Sequence, residues 1–138
     1  MSNHNHFEVS ITINNKAEHD WFENLLKYRK VPSDSTDFSK LYEKISLDED
    51  TLDDIKCILR EKHCLCYSID FGEPEILARL TCAFLQQFNR DDEIELLWSR
   101  TGDEYGGGTY IITKNGYGSC NQVEQYKYAK EHMITIKF

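Results

Sequence analysis

At 138 residues, with 40% hydrophobic and 12% aromatic residues, the chain has the size and composition of one domain, residues 1–138, able to bury a core without metal or disulfide support. The 24 Asp and Glu against 16 Lys and Arg give a formal charge of −8, which argues against direct nucleic-acid binding, because displacing counterions from phosphates needs clustered bases. The odd count of 5 cysteines, the lack of an apolar stretch in MSNHNHFEVS and the lack of a bilayer-length apolar run predict a cytoplasmic protein with reduced thiols and no membrane contact.

Phe7, Val9, Ile11 and Ile13 alternate with Glu8, Ser10 and Thr12, the period of a half-buried strand, and Asn14-Asn15 ends it. From Ala17 to Arg29 the period becomes helical, with Trp21, Phe22, Leu25 and Leu26 on one face. After a polar connection containing Pro32, a short helix over 39–45 carries Leu41 and Ile45 inward. Ser46 and Glu49 have capping-box spacing, which predicts a helix to about Lys62 that packs Leu52, Ile55 and Leu59.

Leu65, Tyr67, Ile69 and Phe71 alternate as a second strand. Gly72-Glu73-Pro74 opens a helix over 75–88 that buries Ile76, Leu77, Leu80, Phe84 and Phe88. Two strands follow within IELLWSRTGDEYGGGTYIITKNG, flanking a glycine-rich connection and closing on the turn signal Asn115-Gly116. A short helix over 121–130 and a last strand with Ile134, Ile136 and Phe138 complete the chain. The order predicts an α+β fold close to the split βαβ, ferredoxin-like arrangement, with an antiparallel or mixed sheet, helices on one face and a helical insertion after the first helix.

The pattern Trp98, then Asp103-Glu104-Tyr105-Gly106-Gly107-Gly108-Thr109-Tyr110-Ile111-Ile112-Thr113, resembles a segment of small ferredoxin-like proteins of phages and plasmids. The resemblance covers only this segment, and its distinctive piece is the triple glycine. It implies a mobile-element origin and a ferredoxin-like fold. It brings no catalytic residue with it.

No residue constellation carries catalysis. The triple glycine lacks the following Lys and Ser or Thr of a phosphate loop, a strand follows it where a helix is required, and two acids precede it. A structural role as a bulge or hairpin loop is expected. His63, Cys64 and Cys66, with His4 and His6, lack the spacing of a zinc site, and Cys64 and Cys66 are expected on the face opposite Leu65, Tyr67 and Ile69. The sequence therefore predicts no catalytic residue, no metal ligand and no cofactor.

The informative feature is clustered acid. Asp48, Glu49, Asp50, Asp53 and Asp54 crowd the predicted second helix, where Asp50, Asp53 and Asp54 share a face. Asp91, Asp92, Glu93 and Glu95 crowd a helix-to-strand corner, and Asp103 and Glu104 precede Tyr105. One explanation is a solvated surface. The other is a surface that meets a basic protein or nucleoprotein complex by standing in for phosphates, with Tyr105, Tyr110, Tyr126 and Tyr128 either as exposed anchors or as partly buried sheet residues. The functional expectation is a small inhibitor from a phage or mobile element that blocks a basic nucleic-acid-handling protein, as in an anti-CRISPR or other anti-defence role. The alternatives are an immunity protein that neutralises a nuclease toxin and a small enzyme with a Cys-His or metal site assembled in three dimensions.

Overall fold

The computed structural model of the chain describes residues 4–27, 41, 43–45, 55–60, 63–69, 74–101, 106–120 and 126–138. Seven strands, β1 (His4–Thr12), β2 (Ile55–Arg60), β3 (His63–Ile69), β4 (Ile94–Thr101), β5 (Gly106–Thr113), β6 (Gly116–Cys120) and β7 (Ile134–Thr135), form one sheet in the order β2-β3-β1-β4-β5-β6-β7. Every described strand pair is antiparallel. The helices are α1 (Lys16–Lys27), α2 (Pro74–Gln87) and α3 (Tyr126–Glu131), with further helical residues at 41 and 43–45. The fold is α+β.

Register fixes which chain ends meet. His4 opposes Thr101, His6 opposes Ile69, Ile55 opposes Ser68, Gly106 opposes Arg100 and Thr109 opposes Cys120. The starts of β1, β2 and β5 and the ends of β3, β4 and β6 therefore lie together, at what is called here the His4 end. The opposite, Thr12 end holds the start of β4 and the turn between Thr113 and Gly116.

Alternation along β1 buries Phe7, Val9 and Ile11 against the helices and leaves His6, Glu8, Ser10 and Thr12 exposed. α1 contributes Phe22 and Leu25 to this core, and α2 contributes Leu77, Leu80, Phe84 and Leu85. Ile45 is buried with them and Leu41 packs on the margin, as the sequence predicts. Trp21, Phe22, Phe84 and Phe88 form an aromatic cluster with ring centroids 4.5–6.4 Å apart. Such pairs add to the stabilisation from burial alone.

α3 departs from the expectation of helices on one face. Neighbouring strand residues point to opposite faces, and Ile112 belongs to the main core while Ile111 forms a second buried cluster with Cys120 and Ala129 of α3. α3 thus covers the face opposite α1 and α2. A Cβ at Gly118 would lie 1.9 Å from the Ala129 carbonyl oxygen, so only glycine allows this approach.

The largest correction concerns residues 46–62, predicted as one helix. Residues 55–60 are instead an edge strand paired with β3. Ile55 and Leu59 fit a helical face, but Ile55, Cys57 and Leu59 fit a period of two equally well, and only two residues separate the run from β3. The helical face proposed for Asp50, Asp53 and Asp54 lies outside the described residues. β6 is a strand that its glycines conceal in the sequence. The triple glycine lies inside β5, not in a loop: the Trp98 ring lies 3.7 Å from where a Gly106 Cβ would be, and its Nε1 is 2.7 Å from one at Gly108. A large ring spread over glycines covers backbone that they leave bare. Cys66 and Cys64 pair with Val9 and Ile11, while Leu65 and Tyr67 pair with Ser10 and Glu8, so the register reverses the faces expected for β3.

Candidate functional site

The Thr12 end is built around one arginine. α2 stops in a Schellman arrangement: Asn89 takes a left-handed φ of 48°, its amide donates to the Gln86 carbonyl (3.2 Å), and the Arg90 amide donates to the Leu85 carbonyl (2.9 Å). This turn directs the Arg90 side chain inward, over the Phe84 ring at 5.2 Å. Its Nη1 donates to Glu18 Oε1 (2.7 Å) and to the Thr12 carbonyl (2.6 Å), and its Nε and Nη2 donate to Asp92 (3.0 and 2.5 Å). Glu18 also serves α1. Its backbone amide donates to Asn15 Oδ1 (3.0 Å) and its carboxylate accepts from Asn15 Nδ2 (2.9 Å), a local cap at the helix start. The Arg90 and Glu18 side chains are only 7% and 3% exposed. Burial opposes the guanidinium charge, but its bonds to Asp92 and Glu18 hold it above its ordinary value. The same bond from Arg90 holds the Asp92 carboxyl below the usual carboxylate range.

This geometry decides how one predicted cluster behaves. Asp91 pairs with Lys114 at 2.7 Å, Asp92 with Arg90, and Glu93 with Lys130 of α3 at 3.0 Å. Three of the four corner acids thus have a cation beside them, and Glu95 is exposed. They also sit at the start of β4, about 25 Å from its end at Thr101 at roughly 3.3 Å per residue. Asp48, Glu49, Asp50, Asp53, Asp54, Asp103, Glu104 and Tyr105 lie outside the described residues. The strand ends to which their segments are joined, at Ile55, Thr101 and Gly106, all lie at the His4 end. Tyr110 is half-buried against the core and stacks near Tyr117 at 6.0 Å, so it is no exposed anchor.

Other polar groups are tied into the fold. The Tyr117 hydroxyl donates to Glu75 (2.6 Å) and accepts from Arg79 Nε (3.1 Å), joining α2 to β6. Burial and the Glu75 bond raise the Tyr117 hydroxyl above its usual value. His19, Asp20 and Glu23 place three possible donor atoms within 4.8 Å on the outer side of α1, with His19 Nδ1 3.4 Å from Glu23. The earlier candidate ligands do not converge: His4 starts β1, whereas His63 opposes Thr12 at the other end. The Cys82 thiol is buried in α2 and pushed up to about 11, which keeps it protonated and unreactive.

A cleft of about 900 Å³ opens beside the aromatic cluster, between α1, α2 and the segment after β7. That segment is held by Gln86, whose amide donates to the Ile136 carbonyl (2.5 Å) and accepts from the Phe138 amide (2.8 Å), and by the Ile136 amide on Asn115 (3.0 Å). Sequence reasoning missed this cleft, because its wall comes from five separate stretches of chain. Among the described residues no helix is long and apolar enough to cross a membrane. No family model, curated protein or solved structure matches the chain.

Proposed function

We propose that the chain is a small acidic inhibitor, encoded by a phage or other mobile element and acting in the cytoplasm. It docks through the His4 end of its sheet on a basic nucleic-acid-handling protein or nucleoprotein complex, in an anti-CRISPR or similar anti-defence role. One observation carries the reading. Segments 46–54, 70–73, 102–105 and 121–125, each joined to a strand at its His4 end, contain 10 acids and no Lys or Arg.

The strand ends to which these segments are joined are neighbours in the sheet. Asp54 adjoins Ile55, Asp70 adjoins Ile69, and Asp103 and Glu104 lie between Thr101 and Gly106, so each is a few residues at most from a paired strand end. Neighbouring strands are about 4.8 Å apart, which places these attachment points within reach of one basic groove. A one-signed patch accelerates encounter with a cation-rich surface and loses this advantage in salt. Midway along β4, on the face opposite α1 and α2, Leu97 is 46% exposed between Glu8 across the strand pair and Glu95 two residues before it, an apolar contact with an acidic surround. The framework itself we assign as ferredoxin-like, extended by β5, β6 and β7. Its support is the order β2-β3-β1-β4, with α1 between β1 and β2 and α2 between β3 and β4.

The test is capture of purified nucleases and CRISPR effector complexes across a salt series, with two charge-neutralised variants. Asp53/Asp54/Asp103/Glu104→Asn/Asn/Asn/Gln should weaken capture by about tenfold or more and flatten its salt dependence. Asp91/Glu93→Asn/Gln should leave both unchanged. Salt-independent capture, or a quadruple variant that binds as the parent does, refutes the reading.

A further inference from the structure

The cleft beside α1 and α2 has a charge that the rest of the chain does not lead one to expect. In a protein of formal charge −8, its lining contains Lys44, Lys114 and Lys137 and no Asp or Glu. Its apolar wall is formed by Trp21, Leu41 and Phe138, all only partly buried, so ring faces and cations border the same space. We infer that this cleft binds a small organic anion with a flat, apolar body, such as an aromatic carboxylate or a nucleotide, the body lying against Trp21 and Phe138 and the anionic group meeting the lysines.

Three features favour this occupant. The volume, about 900 Å³, is within the range that holds a small ligand. The ammonium groups are placed by weak acceptors: Lys44 Nζ donates to the Lys137 carbonyl at 2.9 Å, and Lys114 Nζ donates to Asn89 Oδ1 at 3.0 Å. The carboxylate beside Lys114, Asp91, is 90% exposed. Such an exposed pair contributes little and exchanges readily for another anion. The wall is also set in place before any ligand arrives, because Gln86 clamps the backbone at Ile136 and Phe138 and the Ile136 amide is anchored on Asn115. A preset wall lowers the ordering cost of binding. The cleft lies at the Thr12 end, so its occupancy is independent of docking at the His4 end.

The probe is 8-anilinonaphthalene-1-sulfonate, titrated into the intact folded protein and followed by its own emission and by Trp21 fluorescence in a Trp98→Phe background. Its neutral relative N-phenyl-1-naphthylamine is titrated in parallel, and benzoate and adenosine monophosphate are run as competitors. Saturable binding of the sulfonate at one site is expected, with the neutral relative at least about fivefold weaker. Lys114→Gln/Lys137→Gln should weaken the sulfonate by about five- to tenfold, since an exposed ammonium contributes less than a decade each, while Lys16→Gln leaves it unchanged. Circular dichroism of each variant establishes that it is folded. Displacement by benzoate alone identifies an aromatic carboxylate, and displacement by the nucleotide identifies a nucleotide. Equal affinity for the neutral relative, an unaffected lysine variant, or no saturable binding overturns the inference.

Discussion

Replacing Arg90 by methionine isolates the interaction that joins α1, β1 and the start of β4. The substitution keeps most of the side chain's length over Phe84 but removes every donor to Glu18, Asp92 and the Thr12 carbonyl. Asp92 is partly exposed and can be solvated, whereas the Glu18 carboxylate, at 3% exposure, is left with Asn15 as its side-chain partner. An uncompensated buried charge of this kind costs about 3–5 kcal/mol. Against a typical domain stability of about 5–15 kcal/mol, that is a large share. With a urea m-value of about 1.5 kcal/mol/M, the unfolding midpoint should fall by about 2 M or more. Glu18→Gln in the same background removes the stranded charge, so the double variant should recover part of the loss, with a coupling energy of about 2 kcal/mol. The assay is urea unfolding of the parent, the two single variants and the double variant at neutral pH. A loss under about 1 kcal/mol for Arg90→Met, or strictly additive single effects, would refute the account of Arg90 as the charge that makes Glu18 tolerable.

Asp92 gives a pH test: its folded carboxyl is held below the ordinary range by Arg90, so its contribution is present at neutral pH and lost as pH falls below the ordinary value and through the folded one. Carboxyl-carbon NMR should find Asp92 titrating below the ordinary carboxylate range in the parent and shifted upward in Arg90→Met. Gly118→Ala should destabilise by about 1–3 kcal/mol or more, because the new methyl meets the Ala129 carbonyl at 1.9 Å, whereas Gly106→Ala, whose nearest neighbour is the Trp98 ring at 3.7 Å, should be near neutral in thermal unfolding. The Cys82 thiol, pushed up to about 11 by burial, stays neutral in the fold, and stability from it persists below 9.0 and is lost as pH rises towards 11. Thiol labelling at pH 8 read by peptide mass should spare Cys82 until denaturant is added. Asn89→Gly should match or exceed the parent in melting temperature, and Asn89→Ala should lose about 1 kcal/mol, because only the former relieves the left-handed φ.

What the sequence made legible was whatever depends on near neighbours. The alternation of Phe7, Val9 and Ile11, the helical face of Phe22 and Leu25, and Pro74 as the first residue of α2 were all readable, because each is a local preference reinforced by burial. Residues 55–60 were misread because six residues hold too few apolar positions to separate the two periods, and pairing with β3 decided between them. β6 escaped because Gly116 and Gly118 read as turn residues. They are glycines for another reason: a Cβ would meet the Ile134 carbonyl at 1.8 Å in one case and the Ala129 carbonyl at 1.9 Å in the other. These are contacts with chain at least 11 residues distant in sequence, and no local pattern carries them.

Acid clusters obey the same division between near and distant causes. Adjacent carboxylates in sequence look alike wherever they occur, but their partners arrive through the fold. The corner acids receive Arg90 from the end of α2, Lys114 from the β5–β6 turn and Lys130 from α3, so three elements converge to neutralise them. The two lysines are distant in sequence, and only Arg90 was visible next to Asp92. For Asp53, Asp54, Asp103 and Glu104 the argument runs the other way. Helical spacing was the reason given for grouping some of them; the strand at 55–60 cuts short the predicted helix, and residues 46–54 lie outside the described residues. Antiparallel register supplies a different one, since β2, β3, β1, β4 and β5 begin or end side by side at the point where these segments join them. Register thus groups the attachment points Ile55, Ile69, Thr101 and Gly106, which sequence spacing alone did not.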